Sequence, residues 1–123
     1  MKFNRFEEIE VWQISREFVK DIYKITGNAE YLKDYDLRKQ MRRCAVSIPS
    51  NIAEGYERKS NTEFIRFLYI SKGSAGELRT QLYFSKDLEY IDDKTFNDLL
   101  CRSEEISRSL SGFIKYLEST SRK

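Results

Sequence analysis

The chain has no histidine, and that absence alone removes a broad band of chemistry. Serine–histidine and cysteine–histidine nucleophiles, histidine general bases and histidine-containing zinc sites are excluded. So are the Glu-x-x-His pairs that hold di-iron centres in helical bundles. Cysteine is scarce: Cys44 and Cys101 lie far apart without a C-x-x-C spacing, and two thiols alone cannot close a metal site. Each stands where a small apolar core residue fits, so both are expected to be buried, reduced thiols. Neither G-x-x-x-x-G-K-S/T nor G-x-G-x-x-G occurs, which removes the standard phosphate cradles. No apolar run approaches the ~18 residues of a membrane span. The opening stretch from Met1 to Glu8 carries acids where a signal peptide is apolar. The expectation is a soluble, cytoplasmic protein with no cofactor and no enzymatic activity.

An excess of one charge is lacking too. Twenty-two Lys and Arg face 20 Asp and Glu, a net charge of +2. A dedicated nucleic-acid binder carries a clustered basic excess, so any such role here must rest on a local patch. One proline and five glycines leave little room for β-turns, and the composition reads as helical. The 123 residues suit one domain, 1–123, able to bury ~65–70% of the surface its unfolded chain exposes.

That lone proline lies in Ser47-Ile48-Pro49-Ser50-Asn51-Ile52-Ala53-Glu54-Gly55. An interior proline removes one helix hydrogen bond and crowds the carbonyl four residues back, that of Ala45, at a cost of roughly 3 kcal/mol. Yet Leu37, Met41, Cys44, Ala45, Ile48, Ile52 and Gly55 share one face at helical spacing, so the apolar register passes through Pro49. Burial of Ile48 and Ile52 at ~1.5–3 kcal/mol each offsets the cost. A kinked helix follows, continuous across the proline.

Around it, periodicity predicts four long helices. The first spans about Phe6 to Thr26, with Val11, Ile14, Phe18, Ile22 and Ile25 on one stripe and Trp12, Val19 and Tyr23 on a second, both expected to be covered. Gly27-Asn28 is expected to end it in a left-handed conformation, and Ala29 to Asp34 to be a connection. The second runs from about Asp34 to Tyr56, with Asp34 or Asp36 near its N-terminus. The third spans about Asn61 to Leu88 behind the Ser60-Asn61-Thr62-Glu63 capping box, and Phe64, Phe67, Leu68, Ser71, Ala75, Leu78 and Leu82 face inward. Gly73 and Gly76 in its interior suggest that another backbone approaches closely. The fourth spans about Asp93 to Glu118, capped by Asp92 or Asp93, with Phe96, Leu99, Ser103, Ile106, Leu110, Phe113 and Leu117 in alternating steps of three and four. Short links make the neighbours antiparallel: an all-α, up-down-up-down four-helix bundle.

Two polar constellations remain. Arg43, Ser47, Ser50 and Glu54, with Asn51 at the edge, form a stripe on the second helix; Glu63, Ser74, Glu77 and Gln81 form its counterpart on the third. One reading is a hydrogen-bond network that fixes helix register or a subunit seam and helps satisfy carbonyls released at Pro49; the other is a ligand site. The second constellation is basic: Arg38, Lys39, Arg42 and Arg43, with Arg58 and Lys59 past the helix end and Arg16, Lys20 and Lys24 on the first helix as possible additions. It reads either as solvated surface or as a phosphate-contacting patch. No aromatic interleaves the run, so nothing in it points to base stacking. The adjacent pairs Glu7-Glu8 and Glu104-Glu105 read as solvated surface.

The nine residues from Ser47 to Gly55, followed by Arg58, resemble the signature of bacterial four-helix-bundle proteins of the 23S rRNA intervening-sequence type, often labelled S23 ribosomal protein. Further matches are Phe6, Val11-Trp12-Gln13, Tyr35, Leu37, Gln40, Arg42-Arg43, Glu63-Phe64, Phe67-Leu68, Gly73-Ser74, Glu77-Leu78 and Gln81-Leu82. Cys44 and Ser71 stand where the pattern has alanine, and Ala75-Gly76 is smaller than the pattern. The resemblance implies an antiparallel bundle assembled into a closed homo-oligomer, a pentameric ring, encoded in inserted segments of rRNA genes or elsewhere in bacterial genomes. A similar bundle, the accessory protein of diversity-generating retroelements, is a basic pentamer that works with a reverse transcriptase and nucleic acid. Two roles follow as expectations: RNA binding through the basic face of the second helix, or a protein-interaction scaffold or accessory subunit without direct nucleic-acid contact.

Overall fold

The structure, a computed structural model, describes residues 3–120. Its elements are a 3-10 turn at Phe6–Glu8, then α1 (Glu10–Ile25), a short α2 (Ala29–Lys33), α3 (Tyr35–Glu57), α4 (Asn61–Asp87) and α5 (Asp93–Thr120), with no strand among the described residues. α3 runs through Pro49 without a break.

Polar side chains start four of these helices by accepting otherwise unpaired backbone N–H groups. Asn28 Oδ1 accepts from Tyr31 N (3.1 Å), Asp34 Oδ1 from Leu37 N (3.2 Å), Ser60 Oγ from Glu63 N (3.3 Å) and Asp92 Oδ1 from Thr95 N (2.8 Å). Asn28 and Gly27 therefore depart from expectation. No glycine has positive φ, and Asn28 opens α2 inside the segment read as a connection. The left-handed positions are Lys59 (φ 60°) and Glu89 (φ 63°), just past α3 and α4. At Glu89 the closing bonds run from Tyr90 N to Ser85 O (2.8 Å) and from Glu89 N to Lys86 O (2.9 Å), a Schellman end built without glycine.

The first predicted helix divides at Ile9, which is extended and buried, with Phe6 and Trp12 in edge contact 5.3 Å apart on either side of the break. Its second stripe is only partly covered: Trp12 and Val19 are half-buried and Tyr23 is 42% exposed. The inward stripes of α4 and α5 are buried at every predicted position.

α1 packs on α3 and α5, and α4 packs on α3 and α5, so the four long helices close a circuit. Paired residues fix their directions. Cys44 meets Gln81 and Ile48 meets Ser71 between α3 and α4; Phe64 meets Phe113 and Tyr83 meets Phe96 between α4 and α5. In each case numbers rise on one helix as they fall on the other, so the neighbours are antiparallel. The core between them includes Phe18, Ile22, Met41, Ile48, Ile52, Leu68, Leu78, Leu82, Leu99 and Ile106. Phe3 closes one end, its carbonyl accepting from Tyr56 Oη (2.7 Å) and its ring edge-on to Phe113.

The close helix approach lies at Gly55, not at Gly73 or Gly76. A Cβ on Gly55 would sit 2.8 Å from Phe67 Cβ and 2.9 Å from Phe64 Cδ1. One on Gly73 would meet nothing within 4 Å, and one on Gly76 only the tip of Arg79 at 4.0 Å.

Candidate nucleic-acid interface

Residues 35, 38, 39, 42, 43 and 46 fall on one face of a helix by their spacing of three and four. On α3 they are Tyr35, Arg38, Lys39, Arg42, Arg43 and Val46, and with Tyr23 from the end of α1 they line a depression of about 400 Å³. Four of the seven lining residues are cations and none is acidic. Sequence reasoning found the cations but missed the aromatic rim. Tyr23 is brought in from another helix, and Tyr35 precedes the basic run instead of interrupting it.

The four cations are not equivalent. Arg42 donates from Nε to Thr26 Oγ1 (2.8 Å) and from Nη2 to the Tyr23 carbonyl (3.0 Å), and its guanidinium lies 4.3 Å from the Tyr23 ring centroid. It thus caps the C-terminus of α1, where a positive charge also complements the helix dipole. Arg42 is a structural clasp that forms one wall of the depression. Lys39 Nζ lies 5.8 Å from the Tyr35 ring centroid, and Arg43 is exposed. Arg38 is half-buried, with Nε buried and unpartnered among the described residues. None of Arg38, Lys39 and Arg43 is in an ion pair among the described residues.

Arg58 and Lys59 do not extend this patch. They lie just past the end of α3, about 22–30 Å from the patch at 1.5 Å rise per residue. Arg58 pairs with Glu54 (2.9 Å) and Glu63 (3.6 Å), and Glu63 also holds Arg66 (3.1 Å). Hydrogen bonding from Arg66 holds the Glu63 carboxyl below its usual pKa. Lys59 borders a separate depression with Phe3, Tyr56, Phe64 and Phe113. On α1, Lys20 pairs with Glu17 (3.2 Å) and Arg16 lies over Trp12, so neither lines the basic depression.

The polar stripes sort into a buried knot and an exposed remainder. Ser74 Oγ donates to Ser47 Oγ (2.9 Å), and Asn51 Nδ2 donates to Ser47 O (2.8 Å) and Ser47 Oγ (2.9 Å). Ser71, read from sequence as part of the apolar stripe, donates to the Ile48 carbonyl (2.8 Å). These groups satisfy one another on both sides of the α3–α4 contact, which fixes its register. The carbonyls reached are those of Ser47 and Ile48 and not that of Ala45, the one that loses its helix partner at Pro49. Ser50, Glu54, Glu77 and Arg43 are exposed. Gln81 Nε2 reaches Cys44 Sγ at 3.5 Å, while Gln81 Oε1 is buried without a partner among the described residues. Burial pushes the Cys44 thiol up from its ordinary pKa. Cys101, expected in the core, is exposed on α5 instead. It lies two residues before Ser103, which takes the inward position there.

Among the described residues no three Asp, Glu or Cys side chains are placed to hold a metal ion, and no helix is long and apolar enough to cross a membrane. A family model described as 23S rRNA-intervening sequence protein matches residues 7–112. The fold is similar to the crystal structure of a protein of unknown function from the S23 ribosomal protein family of Bacteroides thetaiotaomicron. The two are 31% identical, with a TM-score of 0.79 over 85% of this chain and 95% of the other. No curated protein matches the sequence.

Proposed function

Since the chain belongs to the 23S rRNA-intervening sequence protein family, we propose that it is a non-enzymatic, homo-oligomeric bundle that binds RNA through the basic face of α3. The observation that carries this reading is the depression lined by Arg38, Lys39, Arg42 and Arg43 without a carboxylate. Clustered cations without local counter-charges gain from phosphate contact by releasing condensed counterions. Arg38, Lys39 and Arg43 are the contacting residues and Arg42 holds the wall in place. The test is RNA binding measured across ionic strength. Three contacts per chain predict a slope of log Kobs against log salt of about −2, at ~0.7 per phosphate on single strands. Charge reversal at Arg38, Lys39 and Arg43 is expected to abolish binding while the helical content is kept. Absence of RNA binding at low salt overturns the reading.

A second reading, a protein-interaction scaffold or accessory subunit, draws on a different surface. Tyr69, Ile70, Tyr83 and Phe84 on α4 and Leu88 just past its end are 41–53% exposed. An apolar stripe of that kind suits a protein contact. The stripe can serve only one of these roles: in a ring of five copies it is the subunit seam and belongs to the first reading, and on an unassembled chain it is a docking face and belongs to the second. Pulldowns that retain stable partners after nuclease treatment, from a protein that binds no RNA, favour the scaffold.

A further inference from the structure

We propose that the α3 depression takes one unpaired nucleotide, its phosphate on Arg38, Lys39 and Arg43 and its base laid on Tyr35, so that the protein selects single strands over duplex. This rests on the RNA-binding reading above and specifies the form of RNA.

Three features of the site lead there. A buried N–H donor without an acceptor is costly, and Arg38 Nε is one at the wall of the depression. No group among the described residues holds the Arg38 guanidinium, and turning it toward the depression brings that buried N–H out to a phosphate oxygen shared with Arg43. Second, the rim is aromatic and open. Tyr35 is 60% exposed at the first turn of α3 and carries only the Lys39 ammonium, 5.8 Å from its ring centroid and held by no hydrogen bond among the described residues. Tyr23 is 42% exposed and has one face covered at 4.3 Å by the Arg42 guanidinium, which two hydrogen bonds pin in place. Tyr35 is therefore the stacking surface, and Tyr23 with Arg42 is the wall opposite. Third, the depression is concave, about 400 Å³, with Val46 39% exposed at its border. That lies within the ~300–1,000 Å³ of small-ligand clefts. A duplex presents its phosphates on a convex surface with its bases already stacked, so it can use the cations but not the ring or the hollow. An unpaired nucleotide uses all three, because every base has a π-face that an aromatic side chain can take without sequence preference.

The experiment titrates the full chain with an end-labelled single-stranded RNA and with the same strand annealed to its complement, at low salt. It uses wild type, Tyr35→Ala, Tyr35→Phe and the Arg38→Glu, Arg43→Glu double variant, with circular dichroism confirming the fold of each. The expected result is single-strand binding about tenfold tighter than duplex. Tyr35→Ala should weaken it about fivefold or more while leaving duplex binding unchanged, and Tyr35→Phe should restore it. Equal affinity for the two forms, or a Tyr35→Ala variant that binds single strands like wild type, overturns the nucleotide pocket. If the double variant still loses binding in that case, phosphate contact stands without it. A wild-type protein that binds neither form overturns the RNA reading itself.

Discussion

At the scale of single residues, side chains of one type take opposite roles according to what surrounds them. Gly55 faces Phe64 and Phe67 with no room for a methyl group, whereas a Cβ on Gly112 of α5 meets nothing within 4 Å. Gly55→Ala is therefore expected to destabilise the fold by about 1–3 kcal/mol through overpacking. Gly112→Ala is expected to stabilise it by about 0.5–1 kcal/mol through helix propensity. Denaturant titration of the two variants side by side checks the pair, and a stabilised Gly55→Ala refutes the packing account. The cysteines divide likewise. A thiol reagent should label Cys101 rapidly in the native protein and Cys44 only on unfolding. Because burial raises the folded-state pKa of Cys44 above its ordinary 9.0, its contribution to stability is present below that value and lost as pH rises through the folded-state pKa. Buried Tyr31, raised from 10.0, acts in the same direction. Unfolding midpoints should fall above about pH 9, less steeply in Cys44→Ala. None of this contrast was legible in the sequence, since both cysteines suit an apolar position by size and only packing separates them.

At the scale of elements, the sequence was most informative where periodicity is long and uninterrupted. Every predicted inward position of α4 and α5 is buried, and Asp34, Ser60 and Asp92 cap the helices they precede. It misled where local signals are short. Gly27-Asn28 does mark the end of α1, but without a left-handed residue, and the segment read as a connection is a five-residue helix held by tertiary contact: Tyr31 is fully buried with its ring edge-on to Tyr90. The end of α1 is secured by Arg42 from α3, a long-range cap that no local pattern announces. Arg42→Ala removes two hydrogen bonds, one of them to an exposed helix-end carbonyl. It should lower stability by about 1–2 kcal/mol. Arg42→Lys should recover only part of this, because a lysine cannot reproduce the fork of donors. Thermal unfolding measures both variants, and an Arg42→Ala protein as stable as wild type shows the clasp to be idle.

At the scale of the whole molecule, the bundle closes its own core yet leaves Ile70 and Phe84 exposed on α4, fourteen residues apart and hence near one another around the helix. If this stripe is the seam of a five-membered ring, light scattering gives a mass near five times 14.7 kDa. Ile70→Glu with Phe84→Glu should return it to the single-chain mass with helicity intact. A wild-type monomer refutes the assembly, and a double variant that stays assembled moves the seam elsewhere. The composition exposed the bundle because helical periodicity survives in one dimension. It did not expose the basic hollow, because a concavity made by Tyr23 and a run fifteen residues downstream exists only once α1 has docked on α3. The clasp at Arg42 carries this further. A synthetic peptide of residues 34–58 would own every cation of the patch and still lack the opposing wall. Its attraction for polyanions would report charge alone, and any discrimination among strand types would have to arise with the folded chain.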